Sequence, residues 1–144
     1  MSSRVFEVLQ HMLKMRKDRS VAQSKRVQAE YQRVRSFNDQ IQSYANEYES
    51  NWMNTAQNGD TVLHLQTQAS FGQKLRATAQ SQQPEVQALE AQSRQALEKA
   101  VQDSQRLKTL QKFLVQQERQ RQHAQERQDE RALEDALQAR HRSK

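Results

Sequence analysis

Between residues 27 and 52 the apolar side chains fall at Val27, Tyr31, Val34, Phe37, Ile41, Tyr44, Ala45, Tyr48 and Trp52. Steps of three and four place these positions on one face of a helix. In heptad terms Val27, Val34, Ile41 and Tyr48 occupy one seam position, and Tyr31, Asn38, Ala45 and Trp52 the other. Upstream, Val5, Leu9 and Met12 form a further stripe, while residues 14–25 are poor in apolar side chains and predict a weak seam.

The pattern breaks at Asn58-Gly59-Asp60-Thr61. Gly59 can take a positive φ to close the first helix, and Asp60 or Thr61 can cap the next. Leu65, Ala69, Phe71 and Leu75 then resume the spacing, followed by Val86, Leu89, Ala96, Ala100, Leu107, Leu110 and Leu114. Pro84, the single proline, predicts a kink or a restart of this second helix, because its ring removes an intrahelical hydrogen bond.

These elements predict an all-α fold, a long antiparallel two-helix coiled-coil hairpin. The predicted organisation is one coiled-coil domain with helix 1 over 3–56, a turn at 57–60 and helix 2 over 61–139. A turn centred there makes facing residue numbers sum to about 117, placing Trp52 near Leu65, Tyr48 near Ala69 and Val5 near Lys112 and Phe113. Residues past 115 then lack a partner, and the stripe stops at Val115, so the remainder reads as a polar overhang, frayed or protruding. A homodimer built on the same stripe is the alternative, since hairpins and dimers share this pattern.

Composition narrows the choice. The 144 residues are 34% hydrophobic and 28% charged with 2 Gly, 1 Pro and no Cys, and the mean hydropathy is −1.15. So little apolar material cannot fill a globular core of this length, while the scarcity of Gly and Pro argues against disorder and against sheets with their turns. The lack of Cys excludes disulfides and thiolate metal sites. No run approaches the length of a membrane span and the opening residues lack a signal-type stretch, so a soluble intracellular protein is expected.

Charge divides the chain. Residues 1–35 carry nine Lys/Arg against three acids, whereas residues 36–70 carry four acids and no Lys or Arg. Extended by one residue, the acidic stretch also holds Phe37, Tyr44, Tyr48, Trp52 and Phe71, most of the aromatic residues. A pI near 9.9 raises nucleic acid as a partner. The later basic residues, however, alternate with acids and Gln as on a solvated helix face, and no DNA-reading motif is present.

Nothing in the sequence forms a catalytic or cofactor-binding constellation. His11, His64, His123 and His141 are scattered, there is no Gly-rich phosphate loop, and two helices offer no enclosed pocket. The expectation is a protein that is not an enzyme and holds no metal or cofactor. Binding remains. Phe37 and Tyr44 lie beside the seam, where aromatic residues free of nearby Lys and Arg read as a partner patch or as filler of a splayed hairpin end. The amphipathic stretch from Val5 to Leu13, followed by basic residues, reads as pairing with Leu107–Val115 or as lying on an anionic membrane surface.

The spacing Ile41-x-x-Tyr44-x-x-Glu47-Tyr48, the turn with Gly59, then Leu65, Phe71-x-x-x-Leu75 and the Gln-rich Gln80, Gln82, Gln83 resembles the FliJ family over nearly the whole chain. The resemblance implies a component of the bacterial flagellar type III export apparatus, similar in fold to the stalk of rotary ATPases. It implies partners in the hexameric export ATPase (FliI) and the cytoplasmic domain of the export gate (FlhA), and a chaperone or chaperone-escort role beside other export chaperones. It further implies a cytoplasmic location, peripheral to the cell membrane at the flagellar base. Gate contacts carried over are Ile41, Tyr44 and Tyr48 with Phe71 and Leu75, to which Phe37 is added. The basic end suggests Arg16, Lys17, Arg19, Arg119 and Arg121 as contacts to the ATPase ring, each weak alone. The alternatives are the equivalent stalk of a virulence injectisome and a basic coiled-coil nucleic-acid-binding or scaffold protein.

Overall fold

The computed structural model describes residues 3–59 and 61–143, and these form two helices, α1 (Ser3–Gln57) and α2 (Val62–Arg142). No strand occurs among the described residues, and the fold is all-α, an antiparallel helical hairpin. Gly59 supplies the left-handed turn at φ +80°, and its N–H donates to the Ala56 carbonyl at 3.4 Å. At the start of α2 the His64 N–H donates to Thr61 Oγ1 at 3.3 Å, satisfying one of the free donors of the first turn. Asp60, the other capping candidate, lies outside the described residues.

Burial follows a seven-residue repeat on both helices. On α1 the covered positions run Phe6, Gln10, Leu13, Lys17, Ser20, Ser24, Val27, Tyr31, Val34, Asn38, Ile41, Ala45, Tyr48, in alternating steps of four and three. On α2 the same alternation runs from Leu65 through Gln68, Gly72, Leu75, Ala79, Gln82, Val86, Leu89, Ser93, Ala96, Ala100, Asp103, Leu107 and Leu110 to Leu114. A strict 3.5-residue repeat is the signature of a coiled-coil seam. The phase corrects the expectation for the start of α1. Val5, Leu9 and Met12 are exposed, and the seam instead carries Phe6, Gln10 and Leu13. The repeat set by the longer run downstream fixes that phase, and the contact of Phe6 with Phe113 at 5.9 Å between ring centroids agrees with it.

The helices pack as two units, residues 18–101 and residues 1–17 with 102–144. In the first, Ile41, Ala45, Ala79, Val86, Leu89 and Ala100 are buried together with the polar Ser20, Ser24 and Asn38. Tyr48 meets Phe71 and Asn38 meets Gln83, so facing numbers sum to 119 and 121 here and not to 117. The shift arises at the turn: α1 ends at Gln57 and α2 begins at Val62, which moves the centre of the hairpin toward the C-terminus. In the second unit Leu107 and Asp103 are buried, and Arg106 lies 3.9 Å from the Asp103 carboxylate. Every described residue from Val115 onward is exposed, yet α2 stays helical to Arg142.

Pro84 does not restart α2, which runs through it unbroken. Buried Ala79, Val86 and Leu89 hold the helix on either side of it. Pro84 and Gln80 are both exposed, so the carbonyl that loses its partner lies where water can solvate it.

Asn38 is the polar residue most deeply set in the seam, 2% exposed. Its Nδ2 donates to Gln83 Oε1 at 3.2 Å, while its Oδ1 has no hydrogen-bond partner among the described residues. Such a residue fixes register at a cost in stability. Asn38→Leu is expected to stabilise the chain by roughly 1–2 kcal/mol through removal of the unpartnered acceptor. It is also expected to loosen the register, so the thermal midpoint followed by circular dichroism should rise while amide resonances of residues 30–90 broaden or double.

Candidate partner-binding surface

The aromatic residues of the 18–101 unit separate into two kinds. Phe37 and Tyr44, seven residues apart on one face of α1, are 55% and 52% exposed. Phe71 on α2 is 46% exposed and meets Tyr48 edge-on, with ring centroids 4.8 Å apart and planes at 63°. That contact fixes both rings, so a partner meeting them loses little rotamer freedom. Ile41, at 8% exposure, and the half-buried Leu75 belong to the seam. They support the aromatic surface from beneath and offer little contact area of their own.

Beside Tyr48 lies a groove of about 550 Å³. Tyr48, Trp52 and Met53 line it from α1, and Gln68, Ala69 and Gly72 from α2, with Arg76 and Glu49 at its edge. Its cause is Gly72. This is a seam position where a coiled coil expects a bulky residue, and the glycine leaves a hole whose nearest side-chain atom is Tyr48 Cβ, 3.5 Å from where a Cβ would stand. Arg76 bridges the two helices through Glu49 and through Asn46 Oδ1 at 3.3 Å. With both charged side chains at least half exposed, the bridge contributes little stability and chiefly sets the polar rim. Gln68 pairs its Nε2 with a His64 ring nitrogen at 3.1 Å. Its Oε1 is buried without a partner among the described residues.

The structure thus brings Tyr48 and Phe71 into contact, and Phe37 lines a separate, smaller groove together with Arg33, Gln82 and Glu85. The sequence pattern did not single out Gly72, Met53 or the groove face of Trp52. The available signal was a glycine in phase with the seam of α2, legible only once that phase is known. Of the basic residues considered for the ATPase ring, Arg16, Lys17, Arg119 and Arg121 belong to the unit of residues 1–17 and 102–144, and Arg19 to the other. Lys17 occupies a half-covered seam position, while Arg121 pairs with Glu118 at 3.0 Å beside a groove that includes Phe6, Gln10 and Leu114. Among the described residues no group of three or more His, Cys, Asp or Glu could hold a metal ion, and no helix is long and apolar enough to cross a membrane.

Compared with known protein families, residues 2–144 match the model described as Flagellar FliJ protein. The chain belongs to the FliJ family. It is therefore a component of flagellar type III protein export. No curated protein and no solved structure gave a match.

Gly72→Ala tests the origin of the groove. A glycine inside a helix costs about 1 kcal/mol relative to alanine, and the added Cβ makes only ordinary van der Waals contact. The variant is expected to be more stable by roughly that amount in urea titration, with a narrower groove.

Proposed function

We propose that the chain is the stalk and adaptor that couples the hexameric flagellar export ATPase (FliI) to the cytoplasmic domain of the export gate (FlhA), with a chaperone-escort role toward other export chaperones. The observation that carries this reading is the Tyr48–Phe71 ring contact beside a groove, with Phe37 and Tyr44 exposed on α1 in a stretch, residues 36–70, that contains no Lys or Arg. Oriented, half-exposed aromatic rings are the side chains that dominate protein interfaces. The gate-facing set is Phe37, Tyr44, Tyr48 and Phe71, held by Ile41 and Leu75. In this reading Arg16, Lys17, Arg19, Arg119 and Arg121 contact the ATPase ring, and the protein works on the cytoplasmic face of the membrane at the flagellar base. The family match supports the flagellar system over the related injectisome stalk.

Binding of the full chain to the soluble domain of a cognate gate protein tests the reading. Phe71→Ala and Tyr48→Ala are each expected to weaken it by about thirtyfold or more, the loss typical of an interface hot spot, with helicity unchanged. Random duplex DNA at physiological salt is the control. Salt-sensitive DNA binding without gate binding would instead support the nucleic-acid alternative.

Truncation after Val115 is expected to reduce stimulation of the ATPase while gate binding survives. If gate binding is lost instead, the division of labour between the two surfaces is wrong.

A further inference from the structure

The first turns of α1 carry two apolar faces. One is the seam, through Phe6 and Leu13, and it packs on α2, where Phe6 meets Phe113. The other consists of Val5, Val8, Leu9, Met12 and Met15, which are 57%, 57%, 39%, 58% and 46% exposed. At about 100° per residue these five lie on one side of the helix, roughly a third of a turn from the seam. They form a continuous aliphatic and thioether stripe about three turns long. Isolated exposed apolar residues need no explanation, but a stripe of this kind does.

Charge indicates what covers it. Residues 3–17 carry Arg4, Lys14, Arg16 and Lys17 against a single acid, Glu7. A second copy of the chain laid on this stripe would bring two such cationic segments together, and like charges disfavour that dimer. An anionic surface gains from the same charges. Apolar residues on one face with Lys and Arg around them is the composition of a helix that lies in the headgroup region of a bilayer.

We propose that this outer face of α1 docks on anionic lipid, with Val5, Val8, Leu9, Met12 and Met15 entering the interface and Arg4 and Arg16, which flank the stripe on the helix, meeting headgroups. The contact leaves the seam intact, because Phe6 and Leu13 face away from it. It is independent of the gate-binding surface, whose residues lie in the other unit. The segment also supplies Arg16 and Lys17 to the proposed ring contact, so lipid and ring would be alternative occupants.

The test is co-sedimentation of the full chain with large unilamellar vesicles. Vesicles of phosphatidylglycerol with phosphatidylethanolamine are compared with vesicles of phosphatidylcholine alone. The expected result is binding to the anionic vesicles at least about tenfold tighter than to neutral ones, and weakened by salt. The triple variant Val8→Gln, Leu9→Gln, Met12→Gln alters only exposed positions and keeps good helix formers. It should keep its helicity and lose anionic-vesicle binding by about tenfold or more. No binding to anionic vesicles, or undiminished binding by the triple variant, overturns the proposal. So does a dimer in sedimentation velocity that the triple variant abolishes, since that would assign the stripe to a second copy.

Discussion

The fold rests on one constraint, the seven-residue repeat that keeps a single narrow stripe of each helix against the other. Among the described residues no large side chain is fully buried. Stability therefore comes from many partial burials in register, and helix propensity supplies the rest. Alanine, serine and asparagine at covered positions allow close approach without contributing much transfer energy. A chain held in this way depends on keeping its phase, because a slip moves every contact together.

Polar seam positions serve that phase. Asn38 reaches across to Gln83, and Ser20, Ser24 and Asp103 are likewise buried. An apolar residue at each site would add stability, but it would also make neighbouring registers more nearly equal in energy. Register has a functional consequence in the 18–101 unit. Only in the observed pairing does Tyr48 stand against Phe71 and beside Gly72, which together make the aromatic surface and its groove. The seam that stabilises the fold therefore also builds the candidate site.

The two packing units present different chemistry. One displays exposed aromatic rings and a groove edged by Arg76 and Glu49, and the other displays an aliphatic stripe among Arg and Lys. Belonging to the FliJ family gives this division its setting in flagellar protein export. Neither surface encloses a site for chemistry. Both offer exposed area held by a seam that consumes only part of each helix's circumference.

The sequence by itself determined the helical class, the turn at Gly59 and the heptad positions from Val27 to Tyr48, because these follow from local propensity and from spacing along one chain. It also offered Phe37, Tyr44, Tyr48, Trp52 and Phe71 as aromatic residues gathered along the chain, because residue type and spacing are local properties. Tertiary structure decided what depends on two segments at once. The pairing register moved by two to four residues from the expected sum of 117, since the last residue of one helix and the first of the next set the centre of the hairpin. The stripe at Val5, Leu9 and Met12 turned outward, because the phase of a long seam overrides a short local pattern. Pro84 left α2 unbroken, because packing on both sides outweighed one missing hydrogen bond. The groove at Gly72 exists only where its missing side chain faces Tyr48, a juxtaposition that spacing along a single strand of sequence does not contain.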